Sequence, residues 1–143
     1  MGNTERAMLT RDAISAAALA GRLPREDVGA VATFEGVVRG ERRADGVALA
    51  ALEYQAYDPM AVEQMSLLCE KARRDFAIID AAVAHRVGEM KTGEVSVAIA
   101  VVAAHRDAAF EACRWLIDAI KVDVPIWKKD VWADGRREWT PAS

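Results

Sequence analysis

Thiols and imidazoles are scarce in this sequence of 143 residues, which holds only two cysteines and two histidines. Cys69 and Cys113 each lie in a helical apolar pattern, and neither belongs to a CxxC pair or to a Cys/His cluster with metal-ligand spacing. This scarcity argues against a disulfide scaffold and against a cysteine-based metal site. We expect both cysteines to be small core residues of a reduced chain, and we predict neither a metal nor a cofactor.

Long apolar runs and an excess of positive charge are also missing. No run approaches the ~18 residues of a membrane span, and no secretory hydrophobic segment opens the chain. The formal net charge of -3 argues against a general nucleic-acid binder, because neutralising phosphates needs an excess of Lys and Arg. We therefore expect a cytoplasmic protein without membrane or nucleic-acid partners. Separately, we expect residues 1–5 to form a loose leader.

Familiar catalytic signatures are absent as well. The sequence contains no Walker loop, no dinucleotide-binding glycine fingerprint, no Ser-His-Asp order and no carboxylate/histidine metal cluster. What is present is the composition of an ordinary globular protein, with 52% hydrophobic and 29% charged residues, over a length typical of one domain. We expect a single domain over residues 1–143.

The hydrophobic pattern predicts short strands interleaved with helices. Helices are expected at residues 12–20, 58–76 and 107–121, and strands at residues 28–38, 47–54, 78–87, 94–102, 126–132 and 136–139. Asp12, Asp58 and Asp107 are the candidate helix caps, and Pro59 is expected at the first helical position. The last helix is expected to bury one apolar stripe, made of Phe110, Cys113, Ile117 and Ile120.

Turn signals indicate antiparallel pairing of these strands. The polar loop 40–46 suggests a long hairpin between the first two strands, and the turn 88–93 joins the next two. Asp134-Gly135 is a strong hairpin-turn signal between the last two. The expected fold is α+β, with antiparallel hairpins and two main helices that cover one sheet face.

Three candidate functional residues are found at the ends of predicted strands and helices. Arg39 directly follows a strand at the mouth of a glycine-rich loop, where a guanidinium can bind phosphate or carboxylate, although a solvated surface arginine is the commoner alternative. His105 and Arg106 lie at a strand-to-helix junction, where the helix dipole favours an anion and an imidazole suits proton transfer. A helix-start pair that merely faces water explains them equally well.

Two lysines in the last third of the chain are further candidates. Lys121 ends the apolar stripe of its helix, where a lysine near desolvated surroundings can act as acid, base or nucleophile; satisfying the helix dipole is the commoner role. Lys128 and Lys129 follow Trp127, so we expect at least one of their ammonium groups to lie against an indole face or in a pocket, although exposed lysines are usually just solvated. His85 and Arg86 repeat the His-Arg pair but end a predicted strand, and we expect them to be structural.

The spacing of His105 and Lys121 limits how they act together. They are sixteen positions apart, which is about 24 Å if the segment between them is helical at ~1.5 Å per residue. One small ligand does not bridge that distance. Either the two helix ends serve different sites, or a second copy of the chain brings its His105-Arg106 end to Lys121. We favour the second arrangement, in which a two-fold dimer carries two equivalent shared sites.

Four segments in order resemble the large, catalytic subunit of molybdopterin synthase. They are GAVATFEGVVRG at residues 29–40, HRVGEMKTGEVSV at 85–97, AHRDAAFEACRWLIDAIK at 104–121 and PIWKKD at 125–130. Each segment alone is a weak signal, whereas the four together, with their spacing, are specific. They cover most of the chain from about residue 28 to residue 139.

The resemblance implies an α/β hammerhead-type fold and a homodimer that forms a heterotetramer with two small ubiquitin-like sulfur carriers. The carrier's C-terminal Gly-Gly tail would deliver a thiocarboxylate to cyclic pyranopterin monophosphate, giving the dithiolene of molybdopterin. The family's site positions fall on Phe34, Arg39, Lys121 and Lys128 of one protomer and on His105 and Arg106 of the other. In this interpretation Lys121 is the principal catalytic group and Lys128 supports it, while the remaining four bind substrate.

One departure and two alternatives accompany the resemblance. The family commonly continues past the final Trp with a further Arg, for which Arg136 or Arg137 would have to substitute here. A non-catalytic adaptor that only binds a ubiquitin-like tail is the first alternative function. A small anion- or RNA-binding domain using residues 121–137 is the second, and the net charge disfavours it.

Overall fold

The computed structural model describes residues 6–141, so the leader expected at residues 1–5 lies outside the described part. The helices are α1 (Ala16–Ala20), α2 (Asp58–Asp75) and α3 (Arg106–Asp123). The strands are β1 (Ala7–Thr10), β2 (Ala30–Val37), β3 (Leu49–Ala56), β4 (Asp80–Arg86), β5 (Gly88–Met90), β6 (Val95–Ala103), β7 (Ile126–Trp132) and β8 (Arg137–Pro141).

The strands form two four-stranded sheets. The first has the order β1-β4-β6-β2 and the second the order β5-β3-β7-β8. The pairs in both sheets are antiparallel except for β1, which runs parallel to β4. The α+β prediction is confirmed, and β1 is a strand that the sequence pattern did not reveal.

The helices cover the two faces of the first sheet unequally. Ala81 and Val83 of β4 face the core shared with α2 and α3, whereas Ala82 and Ala84 face α1. This alternation follows the two-residue period of a strand. By the same period, His85 continues the row that faces the two long helices, at the end of β4 nearest the second sheet.

The three helix starts differ from the expected caps. Ser15, and not Asp12, caps α1, since its hydroxyl accepts a hydrogen bond from the amide of Ala18 at 3.3 Å. Helix α2 includes Asp58, which was expected to be its cap, with Pro59 as the first helical residue. His105 is the N-cap of α3, and Asp107 lies inside its first turn, where a carboxylate also complements the helix dipole.

The buried stripe of α3 is rotated from the expected one. Its buried residues are Ala109, Ala112, Cys113, Leu116 and Ile120. Phe110 was expected in the stripe but is 67% exposed, because the small alanines face the first sheet and allow close approach. The expected stripe is therefore correct for Cys113 and Ile120 and wrong for Phe110.

Two of the predicted strand pairs are confirmed, and one predicted hairpin is wrong. The β4–β6 pair and the β7–β8 hairpin are confirmed, and Gly135 in the latter's turn has a φ of 90°. The hairpin expected across the loop 40–46 is wrong, because β2 pairs with β6 and β3 pairs with β5 and β7. The loop carries the chain from one sheet to the other. The expected turn 88–93 likewise contains β5, which adds to β3 of the second sheet.

Candidate active site

An inter-sheet pocket of about 120 Å³ opens where the two sheets meet the C-terminal end of α3. Strand β2 contributes Phe34, β3 contributes Tyr54, β4 contributes His85 and α3 contributes Lys121. The remaining lining residues are small or apolar apart from one serine: Gly36, Val37, Ser96, Val97, Ile117, Ile120, Val124 and Ile126. The pocket therefore combines apolar walls with one ammonium and one imidazole.

Lys121 lies at the junction of this pocket with a second, more open depression. This outer groove, about 460 Å³ in volume, runs between β2 and the outer face of α3 and includes Phe110 and Arg114. Phe34 and Lys121 line both spaces. Lys121 itself is solvent-exposed in the last turn of α3. Its ammonium is therefore accessible to an anionic group whose body lies against the apolar walls.

His85 is the buried polar residue of the pocket. It is 5% exposed, and its ring stands edge-on to Tyr54 with 5.1 Å between ring centroids. Nδ1 lies 2.8 Å from the carbonyl oxygen of Arg86. Burial lowers the pKa of His85 from 6.5 to about 4, only partly opposed by the hydrogen bond to that carbonyl. The imidazole is therefore neutral at physiological pH.

Lys128 occupies the strand next to the pocket. On β7 it is paired with Tyr54 of β3, and its ammonium lies 3.2 Å from a carboxylate oxygen of Asp130. Both side chains are largely buried, and the hydroxyl of Thr140 donates to the same oxygen at 3.4 Å. Lys128 is thus partly desolvated and ion-paired, beside the pocket lining and not within it.

The other predicted site residues lie outside the pocket. Arg39 follows β2, with a side chain that is 82% exposed and an ion pair to Glu41 at 3.0 Å. His105 and Arg106 are exposed at the N-terminal end of α3, the end opposite Lys121. Because α3 is continuous, the separation of about 24 Å holds within one chain. One protomer therefore brings Phe34 and Lys121 together and leaves Arg39, His105 and Arg106 away from the pocket.

The two arginines considered as C-terminal substitutes are also engaged elsewhere. Arg136 pairs with Glu138 at 2.8 Å, and Arg137 pairs with Glu53. Neither lines the inter-sheet pocket. Within one protomer, therefore, neither arginine reaches the inter-sheet pocket.

His85, which the sequence pattern led us to expect as a structural residue, lies in the pocket wall. A signal was present, because the four residues before it on β4 are three alanines and one valine that alternate between the two faces of the sheet, and His85 falls on the face of the long helices. A histidine is less often buried than an apolar residue at such a position. What the pattern does not contain is Tyr54, which comes from the other sheet.

Both cysteines are poor nucleophiles in this fold. Burial raises the pKa of the Cys69 thiol to about 12 and that of Cys113 to about 11. The prediction that both belong to the core is confirmed. Within residues 6–141 no group of His, Cys, Asp or Glu is arranged to hold a metal ion, and no helix is long and apolar enough to cross a membrane.

Comparison with known proteins gives a consistent family. The model of the MoaE protein family matches residues 9–123. A curated relative from Thermoplasma volcanium, named molybdopterin synthase catalytic subunit, is 47% identical over 131 residues, which cover 92% of this chain and 94% of the relative. This chain belongs to the MoaE family. A second relative of the same name, from Bacillus subtilis, is 38% identical to the MoaE-family chain, over 93% of this chain and 83% of the relative.

Solved structures confirm the fold of this MoaE-family chain. The crystal structure of molybdopterin synthase from Staphylococcus aureus superposes with a TM-score of 0.88 at 30% identity, covering 97% of this chain and 98% of that one. The predicted family resemblance, its fold and the enzyme class are thereby confirmed. A role in the biosynthesis of the molybdenum cofactor is confirmed at the same level.

Proposed function

We propose that this chain transfers sulfur from the thiocarboxylated C-terminus of a small ubiquitin-like carrier to cyclic pyranopterin monophosphate, producing the dithiolene of molybdopterin. The observation that carries the proposal is the inter-sheet pocket, in which Phe34 and Lys121 meet at the junction with the outer groove. In this arrangement the carrier tail occupies the inter-sheet pocket. The pterin occupies the outer groove, where a larger ligand has room.

Volume supports this division of the two reactants. Sites for small organic ligands usually enclose about 300–1,000 Å³. The pocket, at about 120 Å³, is well below that range, whereas a tail of two glycines has no side chains and needs only a narrow space. The groove of about 460 Å³ falls within the range. Lys121 lines both the narrow pocket and the wide groove. This arrangement suits the transfer of sulfur from a peptide end in the pocket to a fused-ring ligand in the groove.

Charge supports the same assignment. A thiocarboxylate and a cyclic phosphate are both anions, so a site that holds them together must offset their repulsion with fixed cations. Lys121 is placed to bind at the junction, and the proposal gives it the principal role, in proton transfer or transient acyl chemistry with the tail. Lys128 supports it from the adjoining strand. Since both cysteine thiols are held protonated, a sulfur donor from outside the chain is the consistent source.

The proposed assembly is a two-fold homodimer with one carrier at each end. In it the partner chain supplies His105 and Arg106 to the cation cluster around Lys121, and these two bind the pterin phosphate together with Arg39. The continuous helix α3, which keeps the two clusters about 24 Å apart in one chain, favours sharing over a site within one protomer. A structural neighbour from Helicobacter pylori is described as a protein-protein complex of subunits 1 and 2 of molybdopterin-converting factor; at 21% identity it supports the fold alone.

Reconstitution with the pterin precursor and a thiocarboxylated carrier tests the catalytic assignment. We expect Lys121→Ala to form dithiolene about 100-fold more slowly or worse, the usual cost of losing an acid–base group. Lys91→Ala, which removes another exposed lysine in the turn after β5, is the matched control and should keep wild-type turnover. Near-normal turnover by Lys121→Ala removes this lysine from the role. Carrier binding without any turnover by the wild-type protein would favour the adaptor function instead.

Mixing two inactive variants tests the shared site. Lys121→Ala and Arg106→Ala chains, unfolded together and refolded as a mixture, form heterodimers in which one site carries both changes and the other carries neither. Random assortment should then restore about a quarter of wild-type activity. If each site were built within one protomer, every site in the mixture would retain one defect. No recovery of activity would therefore refute the sharing of residues between protomers.

A further inference from the structure

The two ring nitrogens of His85 have different surroundings. Nδ1 lies 2.8 Å from the carbonyl oxygen of Arg86. A carbonyl oxygen only accepts, so Nδ1 must carry the hydrogen and donate it. In the neutral ring Nε2 then holds a lone pair and is an acceptor. Among residues 6–141, no group donates a hydrogen bond to Nε2.

Nε2 has no donor within the protein but is open to the pocket. His85 is only 5% exposed, yet among residues 6–141 the fully buried side-chain atoms without a hydrogen-bond partner are Arg43 Nη1 and Trp132 Nε1, so the unpaired Nε2 of His85 still reaches the pocket space. The other polar side chains of the pocket do not donate to it: the hydroxyl of Ser96 donates to the carbonyl of Gly36 at 3.2 Å, Tyr54 contacts the imidazole edge-on, and Lys121 is exposed where the pocket meets the outer groove. The pocket therefore presents a cation at its junction with the groove and an unused neutral acceptor in its wall.

These two features match the chemistry of a peptide's carboxyl end. Such an end carries a terminal anion and, within the preceding residues, backbone N–H donors. We propose that His85 is a binding residue whose Nε2 accepts a hydrogen bond from a backbone N–H of the peptide tail that occupies the inter-sheet pocket. The inference rests on the proposed function, because it takes the carrier tail as the occupant, and it assigns that tail an additional contact.

The protonation state of His85 suits this role. Burial holds its pKa near 4, so Nε2 stays an acceptor throughout the physiological range. A neutral ring also adds no repulsion to the ammonium of Lys121, which lines the same pocket. At neutral pH His85 therefore presents an acceptor at Nε2 and not a proton. It provides a fixed hydrogen-bond acceptor, which selects an N–H over an oxygen acceptor at that point.

Amide-to-ester replacement in a synthetic peptide isolates this contact. The probe is a peptide that ends in Gly-Gly with a free carboxylate, and its analogues carry an ester in place of one C-terminal amide at a time, which removes one N–H with little change of shape. We expect one ester position to weaken binding to the wild-type protein about three- to tenfold, the usual value of a hydrogen bond. In His85→Phe, which keeps a ring against Tyr54 but has no acceptor, the same ester should cost nothing further. Lys91→Ala should behave like the wild type.

A second measurement covers the case in which His85→Phe does not fold. In the wild-type protein with nitrogen-15-labelled histidine, adding the amide peptide should shift the Nε2 resonance of His85, and adding the ester analogue should not. An ester penalty that is equal in the wild type and in His85→Phe, or an Nε2 resonance that ignores the peptide, overturns the proposal. If a pterin shifts the resonance and the peptide does not, the pocket belongs to the other reactant and the proposal is again wrong.

Failure of the proposed function gives a different result. In that case the unmodified Gly-Gly peptide does not bind the wild-type protein, and an amidated version, which lacks the terminal anion, binds no worse. If the free-acid peptide binds and amidation weakens it, the tail assignment stands, and only the ester comparison decides the role of His85.

Discussion

The buried histidine makes the stability of this protein depend on pH. His85 has an ordinary pKa of 6.5 when unfolded and a pKa of about 4 in the folded protein. Between these values the unfolded chain binds a proton that the folded chain does not. Stability is therefore fully present above pH 6.5 and is lost as the pH falls toward 4. A pKa difference of one is worth about 1.4 kcal/mol, so the whole window corresponds to about 3 to 4 kcal/mol.

The measurement is the free energy of unfolding by urea at pH 7 and at pH 4.5, for the wild type and for His85→Gln. Glutamine is neutral at both values and keeps an N–H for the carbonyl of Arg86. Carboxylates contribute to the pH dependence of both proteins, and their part cancels in the comparison. We expect the wild type to lose about 2 kcal/mol more than the variant between the two pH values.

His105→Gln is the matched control, because His105 is the chain's other histidine and is exposed at the start of α3. This control should keep the pH dependence of the wild type. Equal losses in the wild type and His85→Gln would show that His85 is not buried in neutral form, and the reasoning from the pocket wall would be refuted.

Two further predictions concern the frame around the site. Gly135→Ala should lower the free energy of unfolding in urea by about 1 kcal/mol, because residue 135 has a φ of 90°, which strains any residue with a side chain. Gly21→Ala is the control, since residue 21 has a φ of -64° and the substitution should not show this strain. The Cys69 thiol should resist a maleimide in the folded protein and react only in denaturant, and rapid labelling under native conditions would contradict its burial.

Local sequence signals predicted the parts of the fold that local chemistry determines. The β7–β8 hairpin was predictable because Asp134-Gly135 supplies the positive φ that its turn requires, within a few residues of both strands. The length of α3 followed from its apolar period, but its N-cap did not. A helix start depends on the dihedral angles of one residue, and His105 occupies the extended cap position without a side-chain hydrogen bond.

Partners distant in sequence were not predictable in the same way. The loop 40–46 has the composition of a hairpin turn, yet β2 pairs with β6 and β3 pairs with β7. Turn composition specifies that the chain changes direction, and it does not specify which strand it then meets. Strand β1 was missed because it is only four residues long and its parallel pairing with β4 involves residues more than seventy positions away.

Contacts between residues distant in sequence also decided which part of the candidate site could be predicted. Lys121 was found as a cation at a helix end, and Phe34 came from the family resemblance. Their shared pocket exists because β3 of the second sheet closes it with Tyr54, a contact that no local pattern encodes. His85 was expected to be structural because it ends a strand, and the structure adds that its inward position beside the second sheet makes it part of the pocket wall.

A histidine on the inward row of β4 has an energetic consequence. An apolar residue there would avoid the loss of stability at acidic pH. The hydrogen bond of His85 to Arg86 uses only Nδ1, and Nε2 remains an acceptor that is open to the pocket. An occupant that donates an N–H would use that acceptor. The pH dependence of stability and the effect of removing one N–H from a peptide are thus two measurements of one buried imidazole. If the first is found without the second, His85 is buried for packing and plays no part in binding.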